Sequence, residues 1–372
     1  MENIQYFRPT KAVIDLQAIR HNVTQLKKML QPNVQIIAVV KANAYGHGDV
    51  EVARAAIEAG ATILAVATPD EAVHMRQNFP QISILVLGAT PVSFVQYAAA
   101  NDIMLAVFSQ EWVVQAAKQP IERSLKLHIK VDTGMGRIGV TSTQELLQLY
   151  NAITASPYMI VDGVFSHFAT ADEENREYFD QQVEKFNEFL LHLPEKPRLV
   201  HAANTATALI KNTSLQYDAV RYGIAMYGLA PSSYVDLIKP FPLRPAFTLE
   251  TELVFVKKMK AGQSIGYGAS YTVDKDCYVG TLPIGYADGM IRKLSGQNVL
   301  IDGQYAPIIG RICMDQCMIL LPAAYNIGEK VTLIGTQQDV TISIDDWAAK
   351  LETINYEVPC IITNRVPRIY SN

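Results

Sequence analysis

Eight short apolar runs, separated by stretches of helical periodicity, constrain this chain more than any other feature. They are Ile36–Val40, Ile63–Ala67, Ile82–Leu87, Ile103–Val107, Leu125–Val131, Met159–Phe165, Leu199–Ala202 and Ala219–Tyr222. Each has the length of a strand and too little alternation to leave one face in water, so each is expected to be buried on both faces. Between them, Val50–Ala59 and Pro69–Gln77 carry helical spacing, as does Asp15–Leu30 ahead of the first run. The repeating unit is strand then helix. Eight such units in about 230 residues predict a closed (β/α)₈ TIM barrel.

From Phe247 the pattern changes to β-type segments, at Glu252–Val256, Tyr278–Pro283, Asn298–Ile301 and Lys330–Ile334. Asp302-Gly303 between two such runs predicts a two-residue hairpin, because both central turn positions need positive φ. At 372 residues the chain exceeds what one core usually supports. We therefore expect an α/β protein with a barrel over residues 1–240 and a mainly β domain over 241–372, the first ten or so residues joining the β domain. Pro240-Phe-Pro-Leu-Arg-Pro245 between them disfavours helix and offers few donors to a sheet.

The formal net charge of -4 gives no basic field for nucleic acid. Gln77–Asn101 carries no charge, but Pro80, Gly88 and Pro91 interrupt it, so a membrane span is not expected. Met1–Arg20 mixes charges with isolated apolar residues and lacks a secretory pattern, so export is not expected and the cytoplasm is the expected location. Cys277, Cys313, Cys317 and Cys360 form no C-x-x-C pair, so free thiols rather than a metal site are expected. A small-molecule partner remains.

Catalytic groups on barrels sit at the C-terminal ends of the strands. The first strand runs into Val40-Lys41-Ala-Asn-Ala-Tyr45-Gly-His-Gly48, which aims Lys41 into the barrel mouth. A lysine held against apolar walls loses hydration, its pKa falls, and its neutral amine can form a Schiff base with an aldehyde. A solvated lysine snorkelling from a strand end is the ordinary alternative. Strands seven and eight lead into His201-Ala-Ala-Asn204-Thr205 and Arg221-Tyr222-Gly223-Ile224, the corner where barrels often hold phosphate. Capping and turn chemistry would account for the same residues. Arg221 is the most telling of them. A guanidinium does not pass its proton to a pyridine nitrogen, so a ring beside it is a weak electron sink and reprotonation at carbon is favoured. A structural salt bridge is the plain alternative for a single arginine.

Lys130-Val-Asp132-Thr-Gly134-Met-Gly136-Arg137 ends strand five, with two glycines that permit a tight turn bringing Arg137 toward a carboxylate. His167 ends strand six, where it could relay protons; with no neighbour visible, satisfying a buried carbonyl is the simpler expectation. In the β domain, Tyr267 stands between Gly266 and Gly268, where backbone can come close to another surface. Further polar clusters surround Tyr286, the Cys313-Met314-Asp315 run and Tyr356.

Taken together, Val39-Val-Lys41-Ala-Asn-Ala-Tyr45-Gly-His-Gly48 and the later motifs resemble the alanine racemases, in order, over essentially the whole chain. The resemblance implies a pyridoxal 5'-phosphate enzyme interconverting L-alanine and D-alanine for peptidoglycan. It also implies a head-to-tail homodimer whose active site borrows the partner's β domain. By position, Lys41 would carry the cofactor and act on one face of the substrate, with Tyr267 of the other subunit on the opposite face. Tyr45, Thr205, Gly223, Ile224 and Tyr356 would hold the phosphate, with Asn204 in the same motif, and Arg221 the ring nitrogen. His167 and Arg221 would form a chain that lowers the tyrosine pKa, ~10 when unperturbed. Arg137 and the partner's Met314 backbone would bind the substrate carboxylate, and Lys130, carbamylated in family members, would position Arg137. Tyr286 and Asp315 match corridor residues, and Thr205 stands where serine is common.

Three other readings compete. A pyridoxal phosphate carrier would resemble the barrel alone. A fold-related decarboxylase would use a β-domain cysteine followed by an acidic residue, a pattern to weigh at Cys313-Met314-Asp315, but would pair an acid with the ring nitrogen. A serine or broad-specificity racemase would keep the fold and change the side-chain pocket.

Overall fold

The structure is a computed structural model that describes residues 6–372. It divides into two compact units: one comprises Ala18–Ala44 and Asp49–Arg244, the other the chain through Gln17, Tyr45–Gly48 and Pro245–Asn372.

The first unit is an eight-stranded parallel barrel with helices around it. Its strands are Gln35–Val39, Ile63–Val66, Ser83–Val86, Ile103–Val107, Leu125–Lys130, Met159–Phe165, Leu199–His201 and Ala219–Tyr222. The first seven hydrogen-bond to one another in chain order, and the eighth pairs with the first. The remaining seam is drawn together by Asp218 N–H donating to Val200 O (3.0 Å) and Arg221 N–H to Ala203 O (3.0 Å). The apolar runs lie where the sequence places them, because a strand covered on both faces favours apolar side chains and admits a polar one only with a partner; Ile63–Val66 and Ile103–Val107 are buried throughout.

The helices show the complementary pattern. In Glu177–Leu191 the buried residues are Phe179, Gln182, Phe186 and Phe189, one stripe at helical spacing. Burying each phenylalanine contributes roughly 1.5–3 kcal/mol. Gln182 is the exception in the stripe, and its hydrogen bonds explain it. Its carbonyl oxygen accepts from Ala169 N (2.8 Å), and its amide donates to Thr133 Oγ1 (3.3 Å), tying together two loops at the strand ends.

In the second unit, strands pair in the order Phe255–Met259, Cys277–Leu282, Cys317–Leu321, Gln304–Ile309, Asn298–Ile301, Lys330–Gln337, Phe247–Glu252, Lys11–Asp15 and Arg368–Ser371. All neighbours are antiparallel except the last two, which are parallel. The expected hairpin is present: Ile301 pairs with Gln304, and Asp302 and Gly303 have φ of 49° and 69°. The expected single strand Glu252–Val256 is corrected. Phe247–Glu252 pairs with Lys330–Gln337, whereas Phe255–Met259 pairs with Cys277–Leu282. Between them Leu253 N–H bonds Glu329 O and Val254 N–H bonds Thr281 O, so the chain changes neighbours in the middle of an apolar run. Trp347, fully buried on a C-terminal helix, anchors that helix by donating from Nε1 to Leu333 O at 3.2 Å.

No helix among the described residues is long and apolar enough to cross a membrane.

Candidate active site

Lys41 follows the strand Gln35–Val39 by two residues and is half-buried. The four residues after it adopt an unusual backbone. Ala42, Asn43, Ala44 and Tyr45 have φ of 53°, 52°, 51° and 53°, a left-handed turn containing no glycine. An L-residue in this region costs roughly 1–2 kcal/mol, so four in succession hold about 4–8 kcal/mol of strain. Hydrogen bonds offset part of it: Ala44 N–H donates to Val40 O (2.9 Å), Ala42 N–H to Glu71 Oε1 (2.7 Å), and Asp49 N–H to Asn43 Oδ1 (3.0 Å).

Arg221 is the penultimate residue of the last barrel strand and is buried. One Nη donates to His201 O (2.8 Å) and His201 Nδ1 (2.9 Å); the other to Ser166 O (2.7 Å), Ala202 O (2.9 Å) and His167 Nδ1 (3.2 Å). Its Nε–H makes no hydrogen bond among the described residues. Burial pulls its pKa down to about 9, which leaves the guanidinium protonated at neutral pH. Among the described residues no carboxylate pairs with Arg221, so the plain alternative of a structural salt bridge does not hold: its hydrogen-bond partners are carbonyls and imidazoles. His167 Nδ1 faces Arg221, the contact that the resemblance implies, rather than the backbone carbonyl that the residue taken alone suggests.

The arginine fixes the direction of a longer chain. His201 Nε2 lies 2.9 Å from His128 Nδ1, and His128 Nε2 lies 3.1 Å from Asp162 Oδ2. Arginine only donates and carboxylate only accepts. His201 Nδ1 therefore accepts, its Nε2 carries the proton, and His128 repeats the pattern toward Asp162. Burial lowers the pKa of His201 and of His128, and burial followed by the charge of Arg221 lowers that of His167, so all three are neutral imidazoles. Burial alone would raise Asp162, but hydrogen bonds from His128 and Arg198 outweigh it and keep the carboxylate ionised.

Lys130 ends its strand with a buried Nζ that has no hydrogen-bond partner among the described residues. Desolvation, then the charges of Arg221 and Arg137, lower its pKa well below the usual lysine value. Next to it the Asp132 carboxylate accepts Gly134 N–H (2.9 Å) and Gly136 N–H (3.0 Å), folding the loop that carries Arg137. Gly134 has φ of 139°, a conformation closed to other residues. Arg137 itself is exposed and makes no hydrogen bond or ion pair among the described residues.

At the corner of the last two strands, the Thr205 hydroxyl accepts Gly223 N–H at 3.0 Å, bringing the two segments together, with Ile224 next in the chain. Asn204 acts as a helix cap: its Oδ1 accepts from Thr207 N and Oγ1 (both 3.1 Å), and its Nδ2 donates to Phe168 O (3.2 Å).

The remaining residues singled out in the sequence belong to the second unit. Tyr45 is buried, and its ring centroid lies 6.1 Å from that of Tyr356. Tyr267 is 72 % exposed, and the Gly266 and Gly268 beside it have φ of 71° and 73°. A Cβ at Gly268 would approach the Arg311 guanidinium within 3.1 Å, which places that cation beside the tyrosine segment. Tyr286 and Met314 are exposed and share one backbone system: Tyr286 N–H donates to Cys313 O and Ala287 N–H to Met314 O, both 3.0 Å. Asp315 pairs with Arg365 at 2.8 Å.

Sequence reasoning assigned no role to His128, His201, Asp162 or Glu71. A signal existed for the third: Asp162 interrupts an otherwise apolar barrel strand, where a buried polar group needs a partner.

The chain matches the family model "Alanine racemase, N-terminal domain" over residues 14–231 and "Alanine racemase, C-terminal domain" over 246–370. It is 50% identical over 368 residues to an alanine racemase of Anoxybacillus flavithermus, covering 98% of this chain and 95% of that one. It is 49% identical to alanine racemase 1 of Bacillus subtilis, covering 100% and 95%. The crystal structure of a Bacillus anthracis alanine racemase with bound L-Ala-P superposes with a TM-score of 0.96 at 44% identity, covering 99% and 96%. A histidine racemase from Leuconostoc mesenteroides superposes at 0.92 and 34%, covering 99% of both. The chain belongs to the alanine racemase family and is an amino-acid racemase.

Proposed function

We propose that this racemase interconverts L-alanine and D-alanine with pyridoxal 5'-phosphate, using Lys41 and Tyr267 of the partner subunit in a head-to-tail homodimer. The reading places it in the cytoplasm, supplying D-alanine for peptidoglycan. Inverting a stereocentre requires a proton removed on one face and delivered on the other, hence two groups of different origin. Lys41 serves one face from the barrel. The exposed phenol of Tyr267, flanked by glycines, suits a group that works in a neighbouring subunit.

The observation that carries this reading is Arg221: a buried guanidinium with both Nη groups engaged and Nε–H left over. Such a donor fits a pyridine nitrogen that accepts a hydrogen bond and gains no proton. Tyr45, Thr205, Gly223, Ile224 and Tyr356 would hold the phosphate, with Asn204 keeping the Thr205 segment capped. When bound, the cofactor supplies an aldehyde for the amine of Lys41 and a conjugated ring that takes up electron density from Cα. Arg221, still protonated, keeps that ring a weak sink, so the carbon is reprotonated.

Arg137 would bind the substrate carboxylate with the backbone of Met314 of the partner subunit. Lys130, with a lowered pKa and no hydrogen-bond partner among the described residues, fits conversion to a carbamate, whose negative charge would then face Arg137. Tyr286 and Asp315 would line the substrate corridor. Alanine is favoured over other side chains because the relatives at about 50% identity are alanine racemases, and among solved structures alanine racemases at 44% and 42% identity are closer than the histidine racemase at 34%. The match to the C-terminal family model speaks against a carrier that is a barrel alone.

Incubation with L-alanine or L-serine in deuterated water, followed by chiral analysis, tests the reading. D-alanine deuterated at Cα, formed faster than D-serine, is expected. Faster turnover of serine would overturn the substrate, amine release would indicate decarboxylation, and absence of exchange would leave a carrier.

A further inference from the structure

The turn after Lys41 is the longest run of left-handed, non-glycine backbone among the described residues. Backbone of this kind persists only where its surroundings hold it. In the barrel unit one carboxylate reaches it from outside the turn. Glu71 Oε1 accepts Ala42 N–H at 2.7 Å, while Oε2 accepts Ala67 N–H at 2.7 Å and Thr68 N–H at 3.2 Å. Ala67 directly follows the strand Ile63–Val66, which is hydrogen-bonded to the strand leading into Lys41. Glu71 thus fastens the first amide of the strained turn to the end of the adjacent strand.

Helix capping accounts for only half of this arrangement. Thr68 and Glu71 form a capping box at the start of the helix Pro69–Asn78, in which the glutamate returns one oxygen to the cap residue's amide. That motif has no use for the second oxygen. Here the second oxygen makes one of the two shortest contacts of the side chain, and it goes to the residue next to Lys41.

We propose that Glu71 is a positioning residue for Lys41: its bond to the Ala42 amide holds the left-handed turn and thereby sets the direction in which the lysine side chain leaves the strand. The proposal rests on the reading of Lys41 as the cofactor-bearing acid/base group. Loss of the bond lets the turn relax toward ordinary backbone, and the amine no longer presents itself in one place.

Three variants of the holoenzyme separate positioning from capping. Glu71→Gln keeps the shape but removes the charge and one acceptor. It should lower kcat at least tenfold, change KM less than twofold, slow reloading of apoenzyme with pyridoxal phosphate, and speed amide hydrogen exchange at Ala42–Tyr45. Thr68→Ala breaks only the cap, since the Thr68 hydroxyl accepts Glu71 N–H at 3.3 Å, and should lower Tm while leaving kcat within twofold. Ala42→Gly relieves the turn, because glycine tolerates positive φ, and in the Glu71→Gln background it should recover kcat to within threefold of wild type. Should Glu71→Gln fail to fold, Glu71→Asp, one methylene too short to hold both anchors, gives the same comparison. Unchanged kcat, reloading and exchange in the Glu71 variant would overturn the proposal, as would Thr68→Ala reproducing all its effects. If instead no variant, wild type included, bears cofactor on Lys41, the reading of Lys41 fails and not the bracing.

Discussion

Replacing Lys130 with methionine should change how stability depends on pH, and the size of the change follows from the lysine's surroundings. Its Nζ is buried without a hydrogen-bond partner, and desolvation with two nearby guanidiniums disfavours the ammonium form. Two features favour the charge: the Asp132 carboxylate nearby, and the Phe165 ring, whose centroid lies 4.9 Å from Nζ. A buried cation–π contact contributes about 2 kcal/mol or more, against the several kcal/mol of desolvating an ion; desolvation is the largest influence and, with the two guanidiniums, outweighs the ring and the carboxylate, so the pKa falls. Between the lowered folded pKa and the ordinary ~10.4, the unfolded chain holds a proton that the folded chain does not. The site's contribution to stability is therefore full above ~10.4 and is lost as pH falls toward the folded value. The slope approaches about 1.4 kcal/mol per pH unit. Methionine has a similar length and no proton. The stability advantage of Lys130→Met over wild type should shrink as pH rises toward ~10.4, at no more than about 1.4 kcal/mol per pH unit. Urea denaturation in CO₂-free buffer at matched subunit concentration measures this, and added bicarbonate should flatten the wild-type profile as the carbamate forms. Parallel curves for the two proteins without bicarbonate would show that the amine keeps its proton in the fold.

The three neutral imidazoles predict acid lability. With the folded pKa values of His128, His167 and His201 lowered, their contribution is intact above ~6.5 and is lost below it, at up to about 4 kcal/mol per pH unit; a fall of less than 1 kcal/mol from pH 6.5 to 5.5 would contradict the assignment. Asp162→Asn replaces an acceptor with a group that also donates, so nitrogen NMR should show His128 in mixed tautomers with a stability loss of about 2–4 kcal/mol; one unchanged tautomer would refute the fixed direction of the chain. Arg137→Lys should raise KM about tenfold or more with little change in Tm, because only the two-pronged grip on a carboxylate is lost; an unchanged KM would remove Arg137 from substrate binding.

The barrel was legible in the sequence because each strand is a short apolar run between polar helices, and the Asp302-Gly303 hairpin because its chemistry is local. The break at Leu253–Val254 was not legible, since a change of sheet neighbour leaves no mark on an apolar segment. The turn after Lys41 was hidden for a related reason: alanine and asparagine do not announce positive φ, and the bond from Glu71 that holds the turn comes from a residue far along the chain. Arg221 stood out as a single residue, but its meaning came from His201, His128 and Asp162, which only the closed barrel brings into line. His167 was misread in isolation because its partner is 54 positions away.

The central claim is that two groups serve opposite faces of one carbon, and loss of Cα deuterium from each enantiomer of alanine by Tyr267→Phe tests it most directly. The variant should retain its full complement of cofactor, keep exchange from one enantiomer near the wild-type rate, and lose exchange from the other by about 10²–10⁴-fold, the usual worth of a positioned acid/base group. Equal loss from both enantiomers, or loss of cofactor together with activity, would contradict the claim.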